Sequence, residues 1–315
     1  MFQKITGKFD GKEAILVTGL GKYNLRDTME CGQCFRYESV EREDGYTEYM
    51  TVTGNALIRV VQREVGELIF PEMSDEMFES VARPYFNLDT DLSAVASDVK
   101  SRTDSEWLRS AADFADGIAI LRQDPFETLI SFIISQNNNI PRIRKIVREI
   151  CAQYGNNLTP LNDNNSCPIK HITTIPNEAD CKACGRCYTF PSATDILEKP
   201  EALLPSKPGF RYGYILDAAE KVYKGEVDLV QIKEKNDYAH TLEALKVIKG
   251  VGDKVASCVA LFGLGNLEAF PIDVWMKRAI DTYFDGKLDP TTLGPYAGIA
   301  QQYIFHYIRS LDDKG

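Results

Sequence analysis

The residues of this chain best suited to chemistry are an amine and a carboxylate, each expected at the start of a helix. Leu242 to Leu261 reads LEALKVIKGVGDKVASCVAL. Leu242, Leu245 and Ile248 form the apolar stripe of one helix, Gly250-Val251-Gly252 a tight turn, and Val255, Val259 and Leu261 the stripe of a second. Two glycines around one apolar residue let the backbone turn sharply. They leave N–H groups exposed where the second helix begins, and such a helix start binds phosphate. The pattern is that of a helix-hairpin-helix unit, which grips a DNA backbone without reading sequence. An ordinary αα-hairpin with a glycine turn is the competing reading. Lys254 falls in the first turn of the second helix, where the positive end of the dipole, and Lys249 if close, favours the neutral, nucleophilic amine. Asp273 ends FPID and precedes VWMKRAIDTYF at its N-cap position, where backbone N–H groups favour the ionised carboxylate. This pair suits displacement at a sugar carbon, with the carboxylate stabilising an oxocarbenium ion while the amine attacks C1′. A plain phosphate contact and a plain helix cap are the alternatives for the two residues.

The elements that must position this pair change character along the chain. The first hundred residues are expected to be antiparallel sheet with little helix. EREDGYTEYMTV at 41 to 52 holds an Asp44-Gly45 turn and an alternating run, and ALIRVVQ at 56 to 62 and ELIF at 67 to 70 continue the strands. From about Ser105 the period becomes helical. Asp124 caps a helix that opens with Pro125, Asn137 to Asn139 break it, and Ile140, Ile143, Val147 and Ile150 line the next. The expected class is α+β, with an N-terminal antiparallel sheet domain at 1–104 and a mostly helical domain at 105–315. A polar, cysteine-rich insertion interrupts the second at about 156–194.

With 315 residues the chain can bury two or three packed units. Its net charge of −10 argues against nucleic acid at first sight, yet RIRKIVRE at 142 to 149 carries four positive charges against one negative. KVIKGVGDK at 246 to 254 carries three lysines against one aspartate, while acidic residues gather at 41 to 45 and 71 to 79. No apolar run reaches bilayer length and the first residues hold no signal-peptide core, so a cytoplasmic protein acting at the nucleoid is expected, with no membrane partner.

Five segments, in order, resemble the 8-oxoguanine DNA glycosylase/AP lyase family of the helix-hairpin-helix superfamily. They are CGQCFRY at 31 to 37, SQNNNIPRI at 135 to 143, GFRYGYI at 209 to 215, GVGDKVA with FPID at 250 to 273, and GPYAGIAQQYIF at 294 to 305. The resemblance implies a TBP-like sheet domain and a bifunctional enzyme that flips 8-oxoguanine out of duplex DNA, excises it through a Lys254 Schiff base with Asp273 in support, and nicks the strand by β-elimination, without a cofactor. It implies a base pocket of Gly32, Cys258, Gln301 and Phe305. The Gly32 carbonyl would accept from the N7 hydrogen that oxidised guanine carries and guanine lacks. Gln301 would hydrogen-bond the base, and Phe305 and Cys258 would sandwich it. Asn137 would fill the gap in the duplex, Arg142 and Arg211 would bind the estranged cytosine, Phe210 would wedge into the stack, and Gly250 and Gly252 would hold the backbone. Many relatives have Tyr where this chain has Phe210, and some have His where it has Trp275. Double-stranded DNA with 8-oxoguanine opposite cytosine is the implied partner, and a monomer the implied state. A glycosylase for another damaged purine and a non-catalytic helix-hairpin-helix DNA-binding protein are the rival readings.

Of eight cysteines, Cys167, Cys181, Cys184 and Cys187 fall in the insertion with spacing C-x13-C-x2-C-x2-C, outside the family pattern. The spacing admits a structural zinc, with His171 as an alternative ligand, an iron–sulfur cluster as the lesser option and free thiols as the bland one. Cys31-Gly-Gln-Cys34 has the form of a redox C-x-x-C, but no βαβ pattern surrounds it.

Overall fold

The computed structural model describes residues 2–158 and 186–312. Among them, six strands form one antiparallel sheet: β1 (Gln3–Phe9), β2 (Lys12–Thr18), β3 (Tyr37–Glu41), β4 (Thr47–Thr53), β5 (Ala56–Gln62) and β6 (Leu68–Pro71), in the order β1-β2-β6-β5-β4-β3. The β3–β4 hairpin turns through Asp44-Gly45, with Gly45 at φ +83°, as its sequence predicts. Alternate residues point to one side of the sheet. Ile15, Val17, Tyr49, Ile58, Val60, Leu68 and Phe70 bury there against Leu25, Met29, Phe78 and Phe86.

The first hundred residues hold more helix than their alternation suggests. α1 (Leu25–Glu30), a helical stretch at 75–85 and α2 (Leu92–Ser101) all precede α3 (Glu106–Ala115). Leu92, Val95, Ala96 and Val99 recur at helical spacing, and Val95, Ala96 and Val99 join the core of the helical region. The helices that follow are α4 (Pro125–Ser135), α5 (Ile140–Tyr154), α6 (Ala193–Glu198), α7 (Arg211–Tyr223), α8 (Leu229–Lys235), α9 (Tyr238–Lys246), α10 (Asp253–Val259), α11 (Val274–Tyr283) and α12 (Ala297–Asp312). Asp124 and Asn139 cap α4 and α5 through their side chains, each with proline in the first turn. No described helix is long and apolar enough to cross a membrane.

Polar side chains of the segment after α1 help to fasten the sheet to the helical region. The buried Gln33 amide donates to Thr28 O and Ala119 O at 2.8 Å each and accepts from Leu121 N at 2.9 Å. Buried Arg36 donates to Glu127 Oε2 in α4 at 2.9 Å and to Tyr188 O. Burial pushes the Glu127 carboxyl up, against the pull of Arg36. Glu38 on β3 takes Arg148 at 3.1 Å and Arg144 at 3.6 Å, both from α5, and Arg186 at 3.0 Å. Two of the four positive charges of residues 142 to 149 are therefore spent on the sheet.

Removing one partner of a buried ion pair strands the other. Arg36→Met should cost about 3–5 kcal/mol in urea unfolding. A loss below about 1 kcal/mol would show that the pair does not join the two regions.

Candidate active site

α10 starts at a bare backbone. Gly252 occupies its N-cap position and supplies no side-chain hydrogen bond, whereas α1 to α6, α8, α9 and α11 all begin under an Asn, Ser or Asp cap. The start of α7, at Phe210, is uncapped as well. The two uncapped starts belong to elements that touch. Gly250 sits at φ +76°, and a Cβ there would lie 2.3 Å from Cδ2 of the Tyr214 ring. The N–H of Lys249 donates to Asp217 Oδ2 at 2.7 Å, so α7 holds the hairpin turn at both a ring and a carboxylate. Burial raises the Asp217 pKa, but Lys221 and the Lys249 N–H outweigh it and the carboxyl ends below its ordinary value. A helix start without a side-chain cap leaves backbone N–H groups for an anion, and two such starts adjoin here.

Lys254 follows in the first turn of α10, half-buried. Its Nζ donates to Ser135 Oγ at 3.4 Å and lies 5.2 Å above the centre of the Phe132 ring. Phe132 meets Phe35 edge-on at 5.5 Å and stacks on Phe262 at 5.5 Å. The floor beneath the amine is thus aromatic and ties α4 to the CGQCFRY segment. Asp273 caps α11 and accepts from Met276 N at 2.9 Å.

The amine and the carboxylate are reported together by a third group. Cys258, one turn after Lys254 and 3% exposed, feels both: burial pushes its thiol up to about 11, Lys254 pulls it down and Asp273 pushes it up. At neutral pH that sulfur stays a thiol and forms an apolar wall. Gly32 and Phe305 pack together. Gly32 sits at φ +85°, and a Cβ on it would meet the Phe305 ring at 3.5 Å. Arg309 lies over the same ring at 5.4 Å. Gln301, one turn before Phe305, is 3% exposed and accepts from Gln302 Nε2 at 2.8 Å.

A second group of expected residues gathers where α4 turns into α5 and at the start of α7. Asn137 is exposed in that turn at φ +48°, and Arg142 is exposed in the first turn of α5. Arg211 is 4% exposed and donates to Gln136 O, to Asn137 O at 3.1 Å and to Pro208 O at 3.3 Å. Burial and the charge of Arg142 lower its pKa from the usual arginine value. Its guanidinium lies 4.3 Å from the ring of Phe210, which is 55% exposed, a large fraction for a bare aromatic. Trp275 is half-buried against the helical core with Arg278 over its ring at 5.5 Å. The positive charge near the hairpin is smaller than its lysines suggest, because Lys246 pairs with Glu243 at 3.0 Å and Asp253 at 3.3 Å.

Cys31 and Cys34 form no disulfide and are buried, with burial pushing the Cys31 thiol up to about 12 and Cys34 upward as well. Neither is a ready thiolate, which sets the redox reading aside. In the cysteine-rich insertion, Cys187 is buried beside Met50 on the second side of the sheet. Cys167, Cys181, Cys184 and His171 lie outside the described residues. Phe132, Ser135 and Gln302 were not singled out from sequence. Phe132 and Ser135 sit in an apolar helix where nothing marks two positions from the others, and Gln302 repeats its neighbour's side chain.

The profile of the family described as 8-oxoguanine DNA glycosylase, N-terminal domain, matches residues 15–129. The chain is 30% identical over 277 residues to the N-glycosylase/DNA lyase of Saccharomyces cerevisiae, covering 81% of this chain and 66% of the yeast protein. It superposes with a TM-score of 0.80 and 31% identity on MBOgg1 in complex with a low affinity DNA ligand, covering 98% of this chain and 99% of that one. It superposes equally well, at 29% identity and 98% coverage of both chains, on the 8-oxoguanine glycosylase/lyase of Clostridium acetobutylicum in complex with double-stranded DNA containing cytosine opposite 8-oxoguanine.

The two positive-φ glycines should respond differently to a methyl group. Gly32→Ala meets an ordinary van der Waals contact, while Gly250→Ala drives into the Tyr214 ring. Gly250→Ala should lose about 1–3 kcal/mol more than Gly32→Ala by urea unfolding. Equal losses would mean that the Tyr214 contact yields freely.

Proposed function

This chain belongs to the 8-oxoguanine DNA glycosylase family, and from that premise we propose that it is a bifunctional glycosylase/AP lyase acting on 8-oxoguanine opposite cytosine in duplex DNA. The observation that carries this reading is that Lys254, in the first turn of the uncapped helix α10, stands with Nζ over the Phe132 ring and in contact with Ser135, one turn before buried Cys258.

In the proposed cycle the DNA backbone lies against the uncapped start of α10 and the turn at Gly250 and Gly252. The lesion leaves the stack, at a cost of a few kcal/mol, and enters between Phe305 and Cys258. The carbonyl of Gly32 accepts from N7–H, a donor that guanine lacks, and Gln301 takes the pairing edge of the base. Phe210 enters the stack and Asn137 takes the vacated space. Arg142, with Arg211 behind it, donates to O2 and N3 of the estranged cytosine. Lys254 Nζ attacks C1′ as the C1′–N9 bond breaks, and the bond's electron pair and a proton leave with the base. The Asp273 carboxylate offsets the positive charge that develops on the sugar. The remaining N–H proton passes to O4′ as the C1′–O4′ bond breaks, and the sugar ring opens to a Schiff base. Loss of a C2′ proton then expels the 3′ phosphate by β-elimination. These steps call only on groups of the protein and the DNA.

Asp273→Asn separates the two duties of that residue, because asparagine caps a helix as well as aspartate does but carries no charge. The variant should unfold at the wild-type urea midpoint and excise 8-oxoguanine about 100-fold or more slowly. Lys254→Gln should bind lesion DNA and cut none of it. The readout is strand nicking on duplexes with 8-oxoguanine opposite each of the four bases. Nicking by Lys254→Gln would assign the nucleophile elsewhere, and a wild-type enzyme indifferent to the lesion would remove the substrate assignment.

The four cysteines of the insertion are read as a structural zinc site, supporting a segment with few apolar residues to hold itself. Metal analysis of the purified protein should give about one zinc per chain. Its removal should lower the melting temperature and leave abasic-site cleavage in place. A metal-free protein of full stability would end that assignment. On this reading the protein acts at the nucleoid in the cytoplasm, as a monomer.

A further inference from the structure

Gln302 is buried as deeply as Gln301, at 3% exposure each. Its Nε2 donates to Gln301 Oε1 at 2.8 Å, while its own Oε1 is buried without a hydrogen-bond partner. A half-satisfied amide in a helix core destabilises a protein relative to an apolar residue of the same size. Packing therefore does not account for glutamine at this position, and its single good hydrogen bond does.

A carboxamide turned by half a revolution about its last bond exchanges acceptor for donor. A 6-oxopurine offers an N1–H donor beside the O6 acceptor, and a 6-aminopurine offers an N1 acceptor beside an N6–H donor. One orientation of an amide complements the first edge, and the flipped orientation complements the second. Turning Gln301 alone would set its NH2 against the NH2 of Gln302, donor against donor. Turning both amides would strand the Gln302 donors in place of its Oε1. The orientation of Gln301 is thus slaved to Gln302. With the hydrogen bond in place, Gln301 Oε1 keeps a second lone pair and Nε2 keeps both hydrogens for a ligand.

We infer that Gln302 is a positioning residue that locks the Gln301 carboxamide and so sets a preference for 6-oxopurine over 6-aminopurine lesions. The inference rests on Gln301 being the residue that meets the base edge. It adds a specificity determinant one layer behind the pocket, at a residue that touches no substrate.

The test compares single-turnover excision of 8-oxoguanine and 8-oxoadenine, each opposite cytosine, by the wild type and by Gln302→Leu. Cleavage of a preformed abasic site, which offers no base to read, normalises each protein for folded and competent enzyme. Gln302→Leu should shrink the 8-oxoguanine to 8-oxoadenine rate ratio by about tenfold or more. A ratio within about twofold of wild type, even with both rates reduced, would overturn the inference, because a purely structural residue slows both bases alike. Should Gln302→Leu fail to cleave abasic sites, Gln302→Met decides the matter on the same criterion. A wild type that cleaves abasic sites but excises neither base would instead remove the functional reading, and the role of Gln302 with it.

Discussion

The turn at Gly250-Val251-Gly252 must bring backbone against the Tyr214 ring and still leave the next helix start without a partner. No side chain at position 250 could allow the first, since a Cβ would stand 2.3 Å from a ring carbon. No polar side chain at position 252 competes for the N–H groups that follow. From this close approach the rest follows in sequence. The hairpin is fixed to α7, the amine of Lys254 is set over Phe132, and Cys258 is carried one turn deeper into the core.

The electrostatics of the molecule are local. A chain of net charge −10 is repelled by a polyanion at long range. Much of its basic side-chain charge is also internal, with Arg144 and Arg148 committed to Glu38 and Lys246 to Glu243 and Asp253. What remains for an anionic ligand is oriented backbone at the starts of α7 and α10, with single exposed cations such as Arg142. Backbone N–H groups lose nothing to protonation equilibria and little to side-chain entropy, so a few of them can outweigh a more distant negative field once contact is made. Binding of this kind is short-ranged and geometry-dependent.

Local chemistry was readable from the sequence where it obeys a local rule. The Asp44-Gly45 hairpin, the cap at Asp124, the break at Asn137 to Asn139 and the carboxylate cap at Asp273 all depend on neighbours within four residues. Gly250 was singled out by its turn for the same reason, whereas Gly32 came only with the family resemblance. What could not be read depends on partners far away in the chain. Gln33 bonds to Ala119 and Leu121, Arg36 to Glu127, and Lys254 to Ser135 across 119 positions. α1 and the helical stretch at 75–85 are too short to show a sustained helical period, and so went unread. Arg211 was expected beside a base, and its guanidinium is held by backbone carbonyls of the turn that carries Asn137. No periodicity marks Gln302 off from Gln301, so only a structure separates an amide that faces a ligand from one that holds its neighbour.

The account stands on a covalent bond between one nitrogen and C1′ of deoxyribose. Borohydride reduction during turnover on 8-oxoguanine DNA, followed by proteolysis and mass spectrometry of the nucleotide-bearing peptide, locates that bond directly. The modified peptide should span α10 and carry the sugar on Lys254. A sugar found on Lys249, on another lysine or on the N-terminal amine would contradict the account, however active the enzyme proves to be.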